Sequence, residues 1–126
     1  MAKKKRKILL VDDSQTVLLM HRMMLEDQYE LVLAKNGREG VAAAVASHPD
    51  VIFMDVVMPE MTGIEACRAI RSHSQTSHIP VVMVTTRGEP VSVEAGYAAG
   101  CTDYVTKPFD SVELMAKLKS LLGEGG

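Results

Sequence analysis

The chain has 126 residues, enough for one domain with a single hydrophobic core. Hydrophobic residues make up 47% and charged residues 24%, which is ordinary for a globular protein, and the formal net charge of -2 gives no general attraction to nucleic acid. No apolar run approaches the ~18 residues that a membrane-spanning helix needs. The composition therefore favours a cytoplasmic protein that binds neither nucleic acid nor membrane directly.

The two cysteines, Cys67 and Cys101, do not belong to a CxxC pair. We therefore predict neither a disulfide framework nor a zinc site, and we expect both thiols to be buried in a reducing compartment. The basic start of the chain precedes an apolar run that is too short for an export signal. We predict one domain over residues 1–126, with a solvated leader at 1–6, a folded core at 7–122 and a flexible tail or linker at 123–126.

Five short apolar runs predict buried strands at residues 8–11, 29–34, 51–55, 81–85 and 104–106. Helical apolar spacing and helix boundary signals occupy the segments between them. Strands that alternate with helices at this spacing form parallel βαβ units with right-handed crossovers. The predicted fold is therefore an α/β fold, a doubly wound parallel sheet covered by helices on both faces.

The helix signals are local and can be read in chain order. They are a cap at Asp13 or Ser14, a turn at Asn36-Gly37, a stop at His48-Pro49, a helix start at Thr62-Gly63 and again at Pro90, a C-cap at Gly100 and a cap at Asp110. Apolar faces are predicted at Val17, Met20 and Met24, with the flanking Leu18 and Leu25, in the first helix and at Val112, Met115, Leu118 and Leu122 in the last.

Polar side chains stand where four of the predicted strands end: Asp12-Asp13 after the first, Asp55 in the third, Thr85 in the fourth and Lys107 after the fifth. The carboxyl ends of parallel strands share one edge of the sheet, where α/β proteins bind ligands, so we expect these groups to meet. Three carboxylates repel one another unless a cation lies among them, and oxygen ligands suit Mg²⁺. Such a site favours a phosphoryl group, with Asp55 as the nucleophile.

Four segments carry a family resemblance: Val11-Asp12-Asp13-Ser14, Met54-Asp55-Val56-Val57-Met58-Pro59-x-Met61-x-Gly63, Val84-Thr85-Thr86 and Tyr104-Val105-Thr106-Lys107-Pro108-Phe109. In combination they resemble the receiver domain of bacterial response regulators, the chemotaxis regulators among them, over residues 7–122. The resemblance implies a flavodoxin-like (βα)5 fold with strand order 2-1-3-4-5. It also implies a phosphorylation-activated switch of a two-component system, and not a classical enzyme.

The resemblance implies a role for each residue of the site. Asp55 would accept a phosphoryl group from the phosphohistidine of a sensor histidine kinase or a phosphotransfer protein. Asp55 and Asp13 would ligate Mg²⁺ directly, Asp12 would act largely through water, and the backbone carbonyl of Val57 would be a further ligand. Lys107 would pair with an oxygen of the phosphoryl group.

The resemblance further implies a switch made of Thr85 and Tyr104. Thr85 would move toward the phosphoryl group, and Tyr104 would turn inward to fill the space. The face formed by the fourth helix, the fifth strand and the fifth helix would then change its affinity for a target protein or output domain. The bond between Lys107 and Pro108 would be cis. Both a monomer and a phosphorylation-dependent dimer fit this scheme.

Three other classes of protein fit parts of this pattern. A phosphatase of the haloacid dehalogenase type needs a second aspartate two residues after the nucleophile, where this chain has Val57. A flavodoxin-like FMN carrier needs a phosphate-binding loop after the first strand, where Asp12-Asp13 would repel a phosphate. A pseudo-receiver, which binds partners without phosphorylation, is disfavoured by the intact set of polar residues and stays open as an alternative.

Overall fold

Strands and helices alternate along the chain, as the sequence predicts. The structure is a computed structural model that describes residues 5–86, 93–107 and 111–123. Within these residues lie β1 (Lys7–Val11), α1 (Gln15–Leu25), β2 (Glu30–Ala34), α2 (Gly37–Ser47), β3 (Val51–Asp55), α3 (Gly63–Ser72), β4 (Val81–Thr86), α4 (Val93–Ala98), β5 (Asp103–Lys107) and α5 (Ser111–Leu122). None of the described helices has the length and apolar content of a membrane span.

The five strands form one parallel sheet in the order β2-β1-β3-β4-β5. This confirms the predicted flavodoxin-like α/β fold and its strand order. All five residues of β3 are buried, which explains why Val51 to Met54 are apolar without alternation. β3 therefore lies in the centre of the sheet and carries Asp55 to its carboxyl edge, while β2 and β5 lie at the two ends.

Two apolar layers cover the sheet because successive strand residues point to opposite faces. The layer beneath α2 and α3 contains Leu9, Ile52, Met54, Met83, Ala44, Ala66, Cys67 and Ile70, together with Cys101. The layer beneath α1 and α5 contains Ile8, Leu10, Phe53, Val82, Leu18, Leu25, Leu114 and Leu118. Both cysteines are buried and unpaired, as the sequence predicts.

Side-chain caps fix where the helices near the functional edge begin. The Ser14 hydroxyl accepts the N–H of Val17 at 3.3 Å and caps α1. Thr62 and Glu65 form a reciprocal capping box at the start of α3. The turn predicted at Asn36-Gly37 is wrong, because the Asn36 side chain caps α2 and the helix starts at the next residue.

The predicted apolar faces of α1 and α5 are only partly right. Leu18 and Leu25 of α1 and Leu118 and Leu122 of α5 are buried, as predicted. Met20 is 52% exposed and Val112 is 75% exposed, and in α5 the buried stripe runs through Leu114 instead. Apolar residues lie on more than one side of both helices, so periodicity alone does not decide which side is buried. Packing against the sheet buries the side that carries the leucines. The predicted helix start at Pro90, the cap at Asp110 and the bond to Pro108 lie outside the described residues.

Arg71, near the end of α3, connects three backbone segments. Its Nε donates to the carbonyl oxygen of Gly100 at 2.9 Å, and its Nη1 donates to that of Ile79 at 2.6 Å. Gly100 has a φ of 103°, in the region that favours glycine, and a Cβ there would lie 2.7 Å from the Arg71 side chain. The guanidinium thus ties α3 to the segments that lead into β4 and β5.

Gly63 is predicted to be intolerant of any side chain. A Cβ at this position would lie 2.3 Å from the backbone oxygen of Asp55, so the start of α3 would have to move away from β3. We expect Gly63→Ala to lower the free energy of unfolding by about 1–3 kcal/mol in a urea titration. Arg68→Ala, at an exposed position of the same helix, should change it by less than about 0.5 kcal/mol. Equal unfolding midpoints for the two variants would contradict this packing argument.

Candidate functional site

Three carboxylates meet at the carboxyl edge of the sheet. Asp12 and Asp13 follow β1, Asp55 ends β3, and the pairing of Val11 with Met54 places these strand ends side by side. One carboxylate oxygen from each aspartate lies within 4.8 Å of the others. Asp12 is 4% and Asp55 is 6% exposed, whereas Asp13 is open to solvent. The cluster therefore has a buried floor and an accessible side.

Lys107, the last residue of β5, reaches into this cluster. Its Nζ lies 2.6 Å from Oδ2 of Asp12 and 3.7 Å from Oδ2 of Asp55. Burial alone would lower the pKa of Lys107, but the hydrogen bond to Asp12 and the charge of Asp55 outweigh it and raise that pKa. The predicted fifth strand ends at residue 106, whereas Lys107 is the final residue of β5, so its backbone is held by the sheet.

Both oxygens of Asp12 have protein partners. Oδ2 accepts the Lys107 ammonium, and Oδ1 accepts the backbone N–H of Ser14 at 2.9 Å. Since Ser14 also caps α1, the same short turn fixes the helix start and the orientation of the Asp12 carboxylate. Asp13 lies between Asp12 and Ser14 in the sequence. Its side chain is open to solvent, which makes it the accessible member of the three aspartates.

The loop from β3 to α3 forms a wall of the site. The N–H of Val56 donates to the carbonyl oxygen of Val84 at 3.1 Å, and the N–H of Gly63 donates to that of Val56 at 2.8 Å. Val57 is 51% exposed, so its side chain lies outside the core. Glu60 has a φ of 69°, which is uncommon for a residue with a side chain. The loop is thus tied at both ends around Asp55.

The donor set fits a hard divalent cation. Every group in the cluster offers carboxylate oxygens, the ligands that Mg²⁺ and Ca²⁺ prefer, and there is no thiolate or imidazole among them. The formal charges of three carboxylates exceed that of one ammonium by two, which matches the charge of such an ion. Mg²⁺ retains several water ligands in proteins, and the exposed side at Asp13 leaves room for them.

Thr85 lies at the same edge of the sheet, one residue beyond Val84, whose register partner is Asp55. Its Oγ1 is 3.5 Å from Oγ1 of Thr106 in β5, a long hydrogen bond between neighbouring strand ends. Tyr104 and Thr106 are alternate residues of β5, so they share the face of the sheet on which Thr85 lies. The two residues of the predicted switch therefore occupy one face.

Tyr104 packs against α4. Its hydroxyl donates to the carbonyl oxygen of Val93 at 3.4 Å, and its ring lies 5.4 Å from that of Tyr97. A Cβ on Gly96 would lie 1.8 Å from the hydroxyl oxygen, so only glycine leaves space for this ring. Burial and the nearby Cys101 thiol raise the pKa of Tyr104 to about 12. The phenol thus stays neutral and serves as a donor to α4.

His21 belongs to the electrostatic surroundings of the site, and it is not among the site residues predicted from the sequence. Burial lowers its pKa, the charge of Asp12 opposes that effect, and the charge of Lys107 adds to it. Ser14, Val17 and His21 recur at helical spacing and share one side of α1. That spacing, read from the cap onward, is the signal that places His21 on the side of the acidic cluster.

Comparison with known proteins identifies the family. The model of the response regulator receiver domain matches residues 8–119. Protein PilH of Pseudomonas aeruginosa is 39% identical over 117 residues, which cover 92% of this chain and 97% of PilH. The chain spans about half the length of other curated relatives that are transcriptional regulatory proteins. The chain therefore belongs to the response regulator receiver family and is a signalling protein rather than a classical enzyme.

Solved structures agree with this assignment. The chemotaxis protein CheY4 of Vibrio cholerae superposes with a TM-score of 0.88 at 39% identity, over 94% of this chain and all of that one. The receiver domain of the sensor histidine kinase PA1611 of Pseudomonas aeruginosa superposes with a TM-score of 0.87 at 30% identity, over 95% of this chain and 99% of that one. In the PA1611 structure a magnesium ion is coordinated in the active-site cleft.

One ion pair links α5 to the first residue of β5. Lys117 of α5 donates a short hydrogen bond to Asp103, the first residue of β5. This bond lowers the pKa of Asp103 from its ordinary value of 3.8, and burial opposes the shift. Because the folded-state pKa is the lower one, the pair stabilises the folded chain at neutral pH. That contribution is lost as the pH falls through the lowered pKa.

We therefore expect Lys117→Met to destabilise the chain at neutral pH but not in strong acid. The loss should be at most about 1 kcal/mol, because both side chains are partly open to solvent. Urea unfolding at neutral pH and below the lowered Asp103 pKa measures the difference. Lys119→Met, at an exposed position of the same helix, is the control and should show no such pH dependence. A loss from Lys117→Met that persisted undiminished in acid would refute the assigned cause.

Proposed function

We propose that Asp55 accepts a phosphoryl group from the phosphohistidine of a sensor histidine kinase or a phosphotransfer protein. The observation that carries this proposal is the gathering of three carboxylates within 4.8 Å, with the Lys107 ammonium 3.7 Å from Asp55. Lys107 alone would be enough to pair with an aspartate that had only a structural role. The two additional carboxylates raise the negative charge beyond what Lys107 offsets, which suits a site built for a cation and an incoming phosphoryl group.

Asp12, Asp13, Asp55 and the backbone carbonyl of Val57 are the groups we assign to Mg²⁺. Bound there, the ion neutralises negative charge on the phosphoryl oxygens. The magnesium seen in the similar receiver domain of PA1611 supports this assignment. Because both oxygens of Asp12 already have protein partners, we assign Asp12 a contact through water and give Asp13 and Asp55 the direct contacts.

The transfer itself is a substitution at phosphorus. An oxygen of the Asp55 carboxylate forms a bond to the phosphorus while the bond from phosphorus to the imidazole nitrogen of the donor breaks. The electron pair of that bond leaves with the imidazole. Lys107 pairs with a phosphoryl oxygen, and the hydroxyl of Thr85 donates a hydrogen bond to another. Asp55 is held at the end of a fully buried strand, so the attacking oxygen is positioned before the donor arrives.

The change on Asp55 would be transmitted through Thr85 and Tyr104. Thr85 now shares a long 3.5 Å hydrogen bond with Thr106, which it can exchange for a stronger bond to a charged oxygen. Movement of Thr85 changes the space beside Tyr104 on the same face of the sheet. Since Tyr104 packs on α4, the surface formed by α4, β5 and α5 would then present a different shape to a target protein or an output domain.

The first test of this function is Asp55→Asn. With acetyl phosphate and Mg²⁺, the wild-type chain should gain the mass of one phosphoryl group, and Asp55→Asn should gain none because the nucleophile is absent. Intact mass spectrometry measures the labelled fraction, and Asp27→Asn, at an exposed position remote from β3, should label normally. Label at the wild-type level in Asp55→Asn would remove Asp55 as the acceptor. An unlabelled wild type would leave the pseudo-receiver reading, in which the chain only binds partners.

The second test concerns the metal. Asp13→Asn should weaken Mg²⁺ binding by about ten-fold or more and largely abolish labelling, because an accessible charged ligand is lost. Titration calorimetry of the unphosphorylated chain measures the affinity, which we expect to be weak even in the wild type. Asp27→Asn again provides the control, as it removes the same charge away from the cluster. Indistinguishable titration curves for Asp13→Asn and the wild type would show that Asp13 is not a ligand.

A further inference from the structure

The side chain of Tyr104 is held in a pocket beside α4. We define this Tyr104 pocket by Val93, Gly96 and Tyr97 of α4 and by Cys101, which follows the helix. The Tyr104 hydroxyl donates to the carbonyl oxygen of Val93 at 3.4 Å, and the Cys101 thiol is a second hydrogen-bonding neighbour of the same hydroxyl. The rings of Tyr97 and Tyr104 are tilted by 56° with centres 5.4 Å apart, a favourable aromatic geometry. The pocket therefore contacts both the ring and its polar end.

Gly96 makes room for the ring because it has no side chain. A Cβ at this position would lie 1.8 Å from the Tyr104 hydroxyl oxygen and 2.8 Å from the ring carbon Cζ, so alanine and the ring cannot occupy the pocket together. The backbone does not require glycine here, since Gly96 lies inside a helix and the positive φ values of the described glycines belong to Gly100 and Gly123. Alanine is also the better helix former. The missing side chain, and not backbone freedom, is what Gly96 contributes.

The backbones on the two sides of the pocket are fixed. The N–H of Cys101 donates to the carbonyl oxygen of Gly96 at 3.1 Å, which holds that part of α4. Tyr104 is the register partner of Met83, so its own backbone is held by β4. The Tyr104 side chain, in contrast, is only partly buried and can rotate to another rotamer. A methyl group at position 96 should therefore displace the tyrosine side chain rather than the strand.

We propose that Gly96 is a positioning residue of the switch, which keeps Tyr104 on α4 in the unphosphorylated chain until a change at Thr85 draws the ring away. The proposal rests on the proposed function for its link to phosphorylation, whereas the pocket itself does not depend on that link. The 3.4 Å hydrogen bond to Val93 is long, so it offers little resistance when the ring moves. A single methyl group at Gly96 should consequently release Tyr104 without any phosphoryl group on Asp55.

Cys101 reports directly on where the ring lies. It is 7% exposed and its thiol lies beside the Tyr104 hydroxyl, so a ring that leaves the pocket uncovers the thiol. Cys67 of α3, the other cysteine of the chain, is 0% exposed in the core and should become accessible only when the chain unfolds. Because a thiol must be accessible to react, alkylation of the two cysteines separates movement of Tyr104 from loss of the fold.

Alkylation of the unphosphorylated chain by iodoacetamide, followed by peptide mass, tests the pocket. Gly96→Ala should label Cys101 at least about five-fold faster than the wild type does, because the thiol is uncovered, and should leave Cys67 unlabelled. Ala98→Val, which adds methyl groups at an exposed position of α4, is the control and should label Cys101 at the wild-type rate. Equal Cys101 rates in Gly96→Ala and the wild type would overturn the proposal.

A double-mutant cycle shows whether Gly96 acts through the ring. Tyr104→Ala should itself speed the labelling of Cys101, and adding Gly96→Ala to it should change the rate by less than about two-fold, since no ring remains to be displaced. An undiminished increase in the Tyr104→Ala background would show that Gly96 acts without the ring. Labelling of Cys67 in step with Cys101 in Gly96→Ala would show a general loss of the fold. Either result would refute the positioning role.

The link to phosphorylation needs a separate measurement. Wild-type chain that carries a phosphoryl group after treatment with acetyl phosphate and Mg²⁺ should label Cys101 faster than untreated chain, and Asp55→Asn should not respond to the same treatment. Phosphorylated chain that labels Cys101 at the untreated rate would refute the link between Gly96 and the switch. A wild type that gains no phosphoryl mass would count against the proposed function alone, since the alkylation of Gly96→Ala and the double-mutant cycle use no phosphodonor.

Discussion

The ion pair between Lys107 and Asp12 is the contact on which the rest of the site depends. It joins residues 95 positions apart in the chain and spans the ends of β1 and β5, between which β3 and β4 lie. Both partners are largely withdrawn from water, so each would be costly without the other. Asp55 stands beside the same ammonium at 3.7 Å. Any new negative charge on Asp55 therefore competes directly with Asp12 for Lys107. A reaction at Asp55 would then affect the whole carboxyl edge of the sheet.

Much of the fold could be predicted from the sequence because its strands are short, apolar and closed by clear boundary residues. β3 was predicted with its final bounds, since an uninterrupted apolar run ending in Asp55 has few alternatives. The errors arose where apolar residues surround a helix. Met20 and Val112 fit a helical stripe as well as the leucines do, and only packing on the sheet decides which side is covered. Asn36 was misread for a related reason, as caps and turns favour the same residue types.

The site was predictable to the level of which strand ends meet, and no further. Parallel topology alone brings Asp12, Asp13 and Asp55 to one edge. Which carboxylate binds Lys107 depends on side-chain conformations across two intervening strands, and no spacing rule encodes that. Arg71 was missed for a different reason. Its partners are backbone carbonyls, which every residue carries, so no residue type elsewhere in the sequence predicts them.

The Arg71 guanidinium has a mechanical consequence for α4. The helix is a rod of six residues, about 9 Å long. Its C-terminal end is fastened, since Gly100 is bound by Arg71 and the next backbone N–H, that of Cys101, bonds back to the helix. At the other end, Val93 is touched by the Tyr104 hydroxyl at 3.4 Å. Because the C-terminal end of α4 is held, a small movement of the Tyr104 side chain displaces the helix most at its N-terminal end, which is the end nearest the carboxyl edge of the sheet.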